Sequence, residues 1–355
     1  MLKFGILLLS LVFVLGGSTR AWSYEPEDTP APISAPEDAP AATSTPEDAP
    51  ADESAAESAP PDDKRQYDLR YIFSPGELIR TEIVHRAAVQ TTIDGTTQKA
   101  ETQSKSIKTW RVNEVTPQAV TFMHMVESID MWQRSQGRKE IRYNSRTDSE
   151  APPGYEEVAK AVGVPLTLVT MDDRGKIIKR QEKRAQPTSM STQMTMPLPE
   201  QPIGIGGTWT SPLEVEVVLK DGATKKIHTR QKFTLEQVVD NVASITVDSQ
   251  ILTPVSDPAI EAQLIQRLSS GTVRFDIEAG RVLSQQLDLD RHVIGFSGAA
   301  SSMHYVTRFT EELLPPAAET ARRTAPRSAP IESAPAKTKV PAKAATKNTA
   351  PARKR

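Results

Sequence analysis

The chain predicts a mainly β fold, a curved antiparallel sheet or half-barrel with two short helices, flanked by disordered arms. Three observations predict it. Apolar residues recur at every second position over long stretches rich in Val, Ile, Thr and Phe, which is the period of a half-buried strand. Short turns carrying Gly, Pro and Asp separate those stretches. Both ends are poor in large apolar residues and rich in Pro and Ala, so they cannot offset the entropy of ordering.

Met1–Lys3 gives a short positive start, Phe4–Gly17 an apolar run, and Ala21-Trp22-Ser23 a small-residue cleavage pattern. This reads as a secretory signal over 1–23, too short for a membrane span, and places the mature protein in the periplasm or outside the cell. From Tyr24 to Asp63 there are twelve acidic residues, nine prolines and no basic residue, with Pro-Glu-Asp starting at 26, 36 and 46. A ten-residue unit with so little apolar surface reads as an extended linker. Residues 64–314 form the β-rich core and carry 31 basic and 31 acidic side chains. From Pro315 to Arg355 ten basic residues face only Glu319 and Glu332.

The neutral core thus carries two oppositely charged arms. Lys337, Lys339, Lys343, Lys347, Arg353, Lys354 and Arg355 could hold an anionic envelope polymer or a protein. The lysine, alanine and proline run from Ala336 resembles the tails of linker histones in composition only. It has no aromatic side chain for base stacking, and the secretory signal argues against nucleic acid as partner. Cysteine is absent, which excludes disulfides, thiolate zinc sites and thiol catalysis.

In order, Leu69, Tyr71 and Phe73 open the strand series, and Ser74-Pro75-Gly76 turns the chain. Ile79, Thr81, Ile83, His85, Ala87, Val89, Thr91 and Ile93 then share one face of a long strand that ends at Asp94-Gly95, a hairpin signal. Its return includes Ile107–Val112, and Ala119–Trp132 forms another strand. Tyr155, Val158 and Val162 stripe a short helix stopped by Gly163. Leu166–Met171 and Lys176–Arg180 flank an Asp172–Gly175 turn.

Three prolines between Met196 and Thr210 forbid a continuous element, so this stretch reads as a hinge between two halves of the core. Its Gly204-Ile205-Gly206-Gly207 lacks the Lys and helix of a phosphate loop. Leu213–Leu219, Ile227–Leu235 and Ala243–Leu252 alternate as strands, with Asp221-Gly222 joining the first two. Asp257 caps a second helix with Pro258 at its first position, Ile260, Leu264 and Leu268 on one face, and Gly271 as its stop. Val273–Ile277 and Val282–Leu289 flank Glu278-Ala279-Gly280. The runs starting at Asp173 and Glu278 share an acidic residue, a Gly, a basic residue and two apolar ones, as either a weak internal duplication or hairpin chemistry alone would produce.

Ser74-Pro75-Gly76, Asp172–Gly175, Leu198–Trp209 and Phe275–Gly280 carry a resemblance across nearly the whole core. The chain resembles an uncharacterised family of secreted bacterial β-proteins. Its rhythm is more distantly similar to periplasmic lipoprotein carriers (LolA-like), which implies a curved sheet with a helical lid over an apolar cavity. The resemblance supplies no catalytic residue.

No enzymatic activity is expected. The five histidines lack metalloprotease spacing. Gly295–Ala299 puts Ala where a nucleophile elbow has its second Gly, and His304 follows too closely. Asp288 and Asp290 alternate with Leu287 and Leu289 as the wet face of a strand. Met123, His124 and Met125, with Met190, Met194 and Met196, are the soft ligands that could hold Cu(I); filling an irregular core is the competing reading. No other cofactor is expected. The leading expectation is a non-enzymatic binder that holds an apolar or amphipathic ligand in the concavity through Ile83, Val89, Phe122, Met125 and Trp132. The alternative is a structural or interaction protein of the cell envelope anchored by its basic tail.

Overall fold

The computed structural model describes residues 65–184 and 195–316. The signal, the acidic linker, Met190, Met194 and the tail lysines and arginines lie outside the described residues. One antiparallel sheet of twelve strands dominates. These are β1 (Leu78–Ile93), β2 (Thr96–Val115), β3 (Val120–Ser135), β4 (Ile141–Asn144), β5 (Pro165–Met171), β6 (Ile177–Glu182), β7 (Thr208–Val218), β8 (Thr224–Val239), β9 (Val242–Ile251), β10 (Ser270–Asp276), β11 (Arg281–Ile294) and β12 (Ser301–Leu313). Their order is β6-β5-β3-β2-β1-β12-β11-β10-β9-β8-β7, with β4 on the free part of β3. The edges β6 and β7 do not pair with each other, so the sheet is not closed into a barrel.

The sheet curls strongly. Val112, Phe122 and Met171 share one buried cluster with Phe233, Ile245 and Phe275, although these lie on strands up to eight places apart in the sheet order. Only a trough brings them together. Two short helices fill it. In α1 (Glu156–Ala161), Val158 and Ala161 pack with Tyr155 onto Val126, Ile129, Met131 and Leu166. In α2 (Pro258–Leu264), the Asp257 carboxylate accepts the Ala259 N–H at 2.9 Å, and a 3-10 turn, Ile265–Arg267, continues the helix. Ile260 and Leu264 meet Val217 and Ile227, while Ala262 and Ile265 meet Val89, Leu289, Met303 and Tyr305. Gly271 is not the helix stop expected from sequence. It lies within β10, where a side chain would collide with the Gln286 backbone of β11.

The strand order repeats. A hairpin, a third strand, a short helix and a second hairpin make β1–β2–β3–α1–β5–β6, and the same series makes β7–β8–β9–α2–β10–β11. β12 joins the two series by pairing with β1 on one side and β11 on the other. The irregularities repeat too. A bulge separates Val112 from Glu114 in β2, and another separates Leu235 from Gln237 in β8. The β5–β6 ladder shifts between Thr170 and Met171, and the β10–β11 ladder between Arg274 and Phe275.

The entries to the two halves match as well. Gly76 N–H donates to Val112 O (3.0 Å) and Val112 N–H to Glu77 O (2.9 Å). Gly206 N–H donates to Leu235 O (2.7 Å) and Leu235 N–H to Gly207 O (3.0 Å). Gly76 and Gly206 both have φ +78°, a conformation that costs other residues side-chain strain.

Residues 65–77 do not form the strand suggested by Leu69, Tyr71 and Phe73; apart from a bridge between Tyr67 and Ile203, they make a strap across one end of the trough. Tyr71 N–H donates to Asp173 O (2.8 Å) in the β5–β6 turn, and Ile72 N–H donates to Gly280 O (3.0 Å) in the β10–β11 turn. The two similar turns therefore grip adjacent residues of one strap. Glycine is required at both for close approach: a Cβ on Gly175 would lie 2.8 Å from the Tyr71 ring, and one on Gly280 2.5 Å from Ile72 N. The expected hinge runs beside the strap, with Met196 and Leu198 buried in the main cluster, and β7 begins at Thr208.

β4 and β12 add to the strands read from sequence, and β2 extends well before Ile107. Its polar stretch is held by ladders to β1 and β3 on both sides, so pairing rather than side-chain pattern decides its conformation.

Candidate ligand cavity

Alternation along β1 turns Thr81, Ile83 and His85 into the trough. Across the β1–β2 ladder Thr81 faces Lys108, Ile83 faces Ser106 and Ile79 faces Trp110; across the β1–β12 ladder Ile83 faces Glu311 and His85 faces Phe309. Phe233 and Val247 come from the other half. Together with the strap and the 3-10 turn, these side chains enclose a cavity of about 320 Å³. Its walls include Trp110, Phe122, Phe233, Val247, Leu287 and Phe309. The strap residues Tyr71 and Phe73 close one end, and Gln266 and Arg267 border the other.

The apolar end is held by aromatic contacts. Phe122 meets Phe73 edge-on at 4.9 Å and Trp110 at 5.8 Å between ring centroids. Tyr71 O–H donates to Met196 O (3.0 Å) and accepts from Met196 N–H (3.1 Å), and burial raises its pKa. Such mutual satisfaction keeps the hydroxyl out of the cavity.

The middle of the trough is polar. Lys108 is only 6 % exposed; burial lowers its pKa to about 8, while the Glu311 charge acts in the opposite direction. The Glu311 carboxylate accepts the Gln285 amide at 2.5 Å. The Thr81 hydroxyl is buried on the cavity wall without a hydrogen-bond partner. His85 shares a 2.9 Å hydrogen bond with the Thr307 hydroxyl, and its pKa is lowered by burial. His124 is stacked on Trp110 at 4.6 Å. Neither ring nitrogen has a partner. Burial first, then the charges of Lys108 and Arg180, push its pKa down to about 3, so the ring is neutral at physiological pH.

Of the ligand residues expected from sequence, Ile83, Val89 and Phe122 face the trough. Phe122 lines the cavity, Ile83 lies in the same β1 row, and Val89 is covered by α2. Met125 and Trp132 face the other side of the sheet. Met125 is three residues from inward Phe122, so alternation alone turns it outward; for Trp132 the cause is a bulge, since Lys108 pairs with Val126 but Ile107 pairs with Ser128, leaving Glu127 unopposed. Inward positions on β3 are therefore Phe122, His124 and Val126 before the bulge, and Ile129 and Met131 after it. Met125 and Trp132 have outward parity on their respective sides, and the Arg134 guanidinium lies 5.5 Å from the Trp132 ring.

The same alternation splits the copper candidates, with Met123 and Met125 on one face and His124 on the other. Met196 is buried in the main cluster, away from a Met123–His124–Met125 group. Among the described residues no cluster of three or more His, Asp or Glu could hold a metal ion.

The Gly295–Ala299 segment lies between β11 and β12, and the hydroxyl of Ser301, the first residue of β12, donates to Gly298 O (2.7 Å). His304 bonds Asp290 at 2.7 Å, and Arg308 bonds Asp288 at 2.6 Å, as fits the wet face of β11 and β12. Sequence reasoning missed Lys108, Trp110 and Glu311. The available signal was the shared parity of Lys108 and Trp110 beside the inward row of β1. Among the described residues, no helix is long and apolar enough to cross a membrane.

Comparison with curated proteins found no match. Among solved structures, one described as "Lipid-protein interactions in lipovitellin" is similar with a TM-score of 0.36 and 12% identity. The match covers 69% of this chain and 26% of the other, so this chain spans about a quarter of that protein's length. Residues 180–288, from β6 to β11, are similar to a family of unknown function, DUF6263.

Proposed function

We propose that this protein is a non-enzymatic binder that holds an apolar or amphipathic, lipid-like molecule in the trough of its curved sheet. The observation that carries this reading is the cavity of about 320 Å³, within the usual range for small-molecule sites, mostly apolar with a few convergent polar groups. Both halves contribute walls, so a bound molecule would contact the whole sheet. The N-terminal signal pattern supports an extracytoplasmic role for this binder.

Native mass spectrometry of the protein isolated from its own source tests the reading. The expected result is a hydrophobic adduct that organic solvent removes, with rebinding of a long-chain alkane or lipid to the emptied protein. A clean apo mass, together with no uptake of any apolar probe, would overturn it. An anionic polymer retained through the C-terminal segment, with no apolar adduct, would favour the envelope-interaction reading instead.

A further inference from the structure

The charges around the cavity say what kind of polar end a ligand would carry. This inference rests on the lipid-binding reading above. Arg281 borders the cavity but is held by Glu77. Arg267 is exposed at the rim, where solvent screens it. Half-buried Glu311 lines the cavity from one side of β1, and Lys108, buried on the other side opposite Thr81, stands behind that wall. Their charges offset each other, and Gln285 further satisfies the carboxylate. A ligand carboxylate entering here would place a second negative charge near Glu311 while losing its own hydration, and Lys108 is already balanced. An uncharged hydroxyl has no such penalty. Among the described residues it would meet a buried wall group that lacks a partner, the Thr81 hydroxyl, which can donate or accept.

We propose that the cavity selects uncharged, hydroxyl-bearing amphipaths, such as monoacylglycerols or long-chain alcohols, over the corresponding carboxylates, with the polar end placed against Thr81 on the Glu311 side of the wall. Trp110 lines the same cavity and supplies a fluorescence signal for binding.

The test titrates the full chain with dodecane, monolauroylglycerol and laurate at neutral pH, followed by Trp fluorescence and confirmed by native mass spectrometry. Monolauroylglycerol is expected to bind about tenfold more tightly than laurate, the scale of one buried hydrogen bond. Thr81→Val is expected to weaken monolauroylglycerol severalfold and leave dodecane unchanged, and Thr81→Ser to restore the affinity. Laurate binding as tightly as monolauroylglycerol, or a Thr81→Val variant that binds dodecane and monolauroylglycerol as the parent does, would overturn the selection while leaving the cavity reading intact. Failure of all three probes to bind would overturn both.

Discussion

The first and second halves of the sheet share a backbone and differ in what it carries. Both have a glycine entry, a bulge near the end of the second strand, a helix after the third and a shifted second hairpin. On the trough face of the second half stand Ile227, Phe233, Leu235, Ile245, Val247 and Phe275, all fully or nearly fully buried and apolar. The first half places Thr81, Ser106, Lys108 and His124 in the trough, also buried. The curl is therefore fixed by repeated irregularities that do not depend on inward side-chain type. Given that frame, the inward side chains are free to differ: among these apolar residues the second half buries Thr229, whereas the first buries Lys108 and His124.

The largest effects should come from the matched ends of the second hairpins. Met171 and Phe275 are each fully buried just after the register shift of their ladder. Phe275→Ala should lose about 3–5 kcal/mol and Met171→Ala about 2–5 kcal/mol, read from urea unfolding. A loss below about 1 kcal/mol at Met171 would break the equivalence of the two hairpins.

The glycines sharpen it next. Gly76→Ala and Gly206→Ala share one φ, and a Cβ at either would meet nothing within 4 Å. Each should lose about 1–2 kcal/mol, and by the same amount. Gly175→Ala and Gly280→Ala add a collision with the strap and should lose more, about 3 kcal/mol. If all four variants unfold at the same urea concentration, the strap is not gripped as described.

A smaller effect of opposite sign belongs to the polar half alone. His124→Phe removes two unpartnered buried nitrogens and keeps a ring against Trp110, so it should stabilise by about 1 kcal/mol. Destabilisation of that size would mean that the imidazole makes a needed bond.

The smallest effect is pH-dependent. Burial holds the Lys108 pKa near 8, below the ordinary 10.5. Below about 8 both folded and unfolded chains hold the proton, and the burial cost is present in full. As pH rises toward 10.5 the folded state sheds its proton first, and that cost disappears. The melting temperature of the parent should therefore rise relative to Lys108→Met across this window. A constant difference between the two would show that Lys108 does not titrate there.

The fold class was legible because alternation and turn chemistry act locally. The Asp94-Gly95 and Asp221-Gly222 hairpins, both helices and most strands follow from neighbours in sequence. What escaped depends on distant partners. The polar start of β2 is a strand because β1 and β3 flank it, and β12 alternates Thr and Glu with aromatic residues on its inward face. The site suffered most from one residue. Glu127, unopposed in the β2–β3 ladder, reverses the parity of everything after it, and no local pattern announces such a reversal. Trp132 lies beyond that reversal, whereas Met125 lies before it and has the opposite parity to Phe122, so its outward position was legible in the sequence.

β12 also sets an order of events during synthesis. It occupies the β1 edge from Thr81 to Ile93, although more than two hundred residues separate the paired segments. Until Ser301–Leu313 leaves the ribosome, that edge has no native neighbour. Loop closure of this span is slow, and an exposed strand edge invites pairing with other chains. The unfinished chain thus carries an open edge along most of β1, and a chaperone acting on it would have to shield β1 until the last strand arrives.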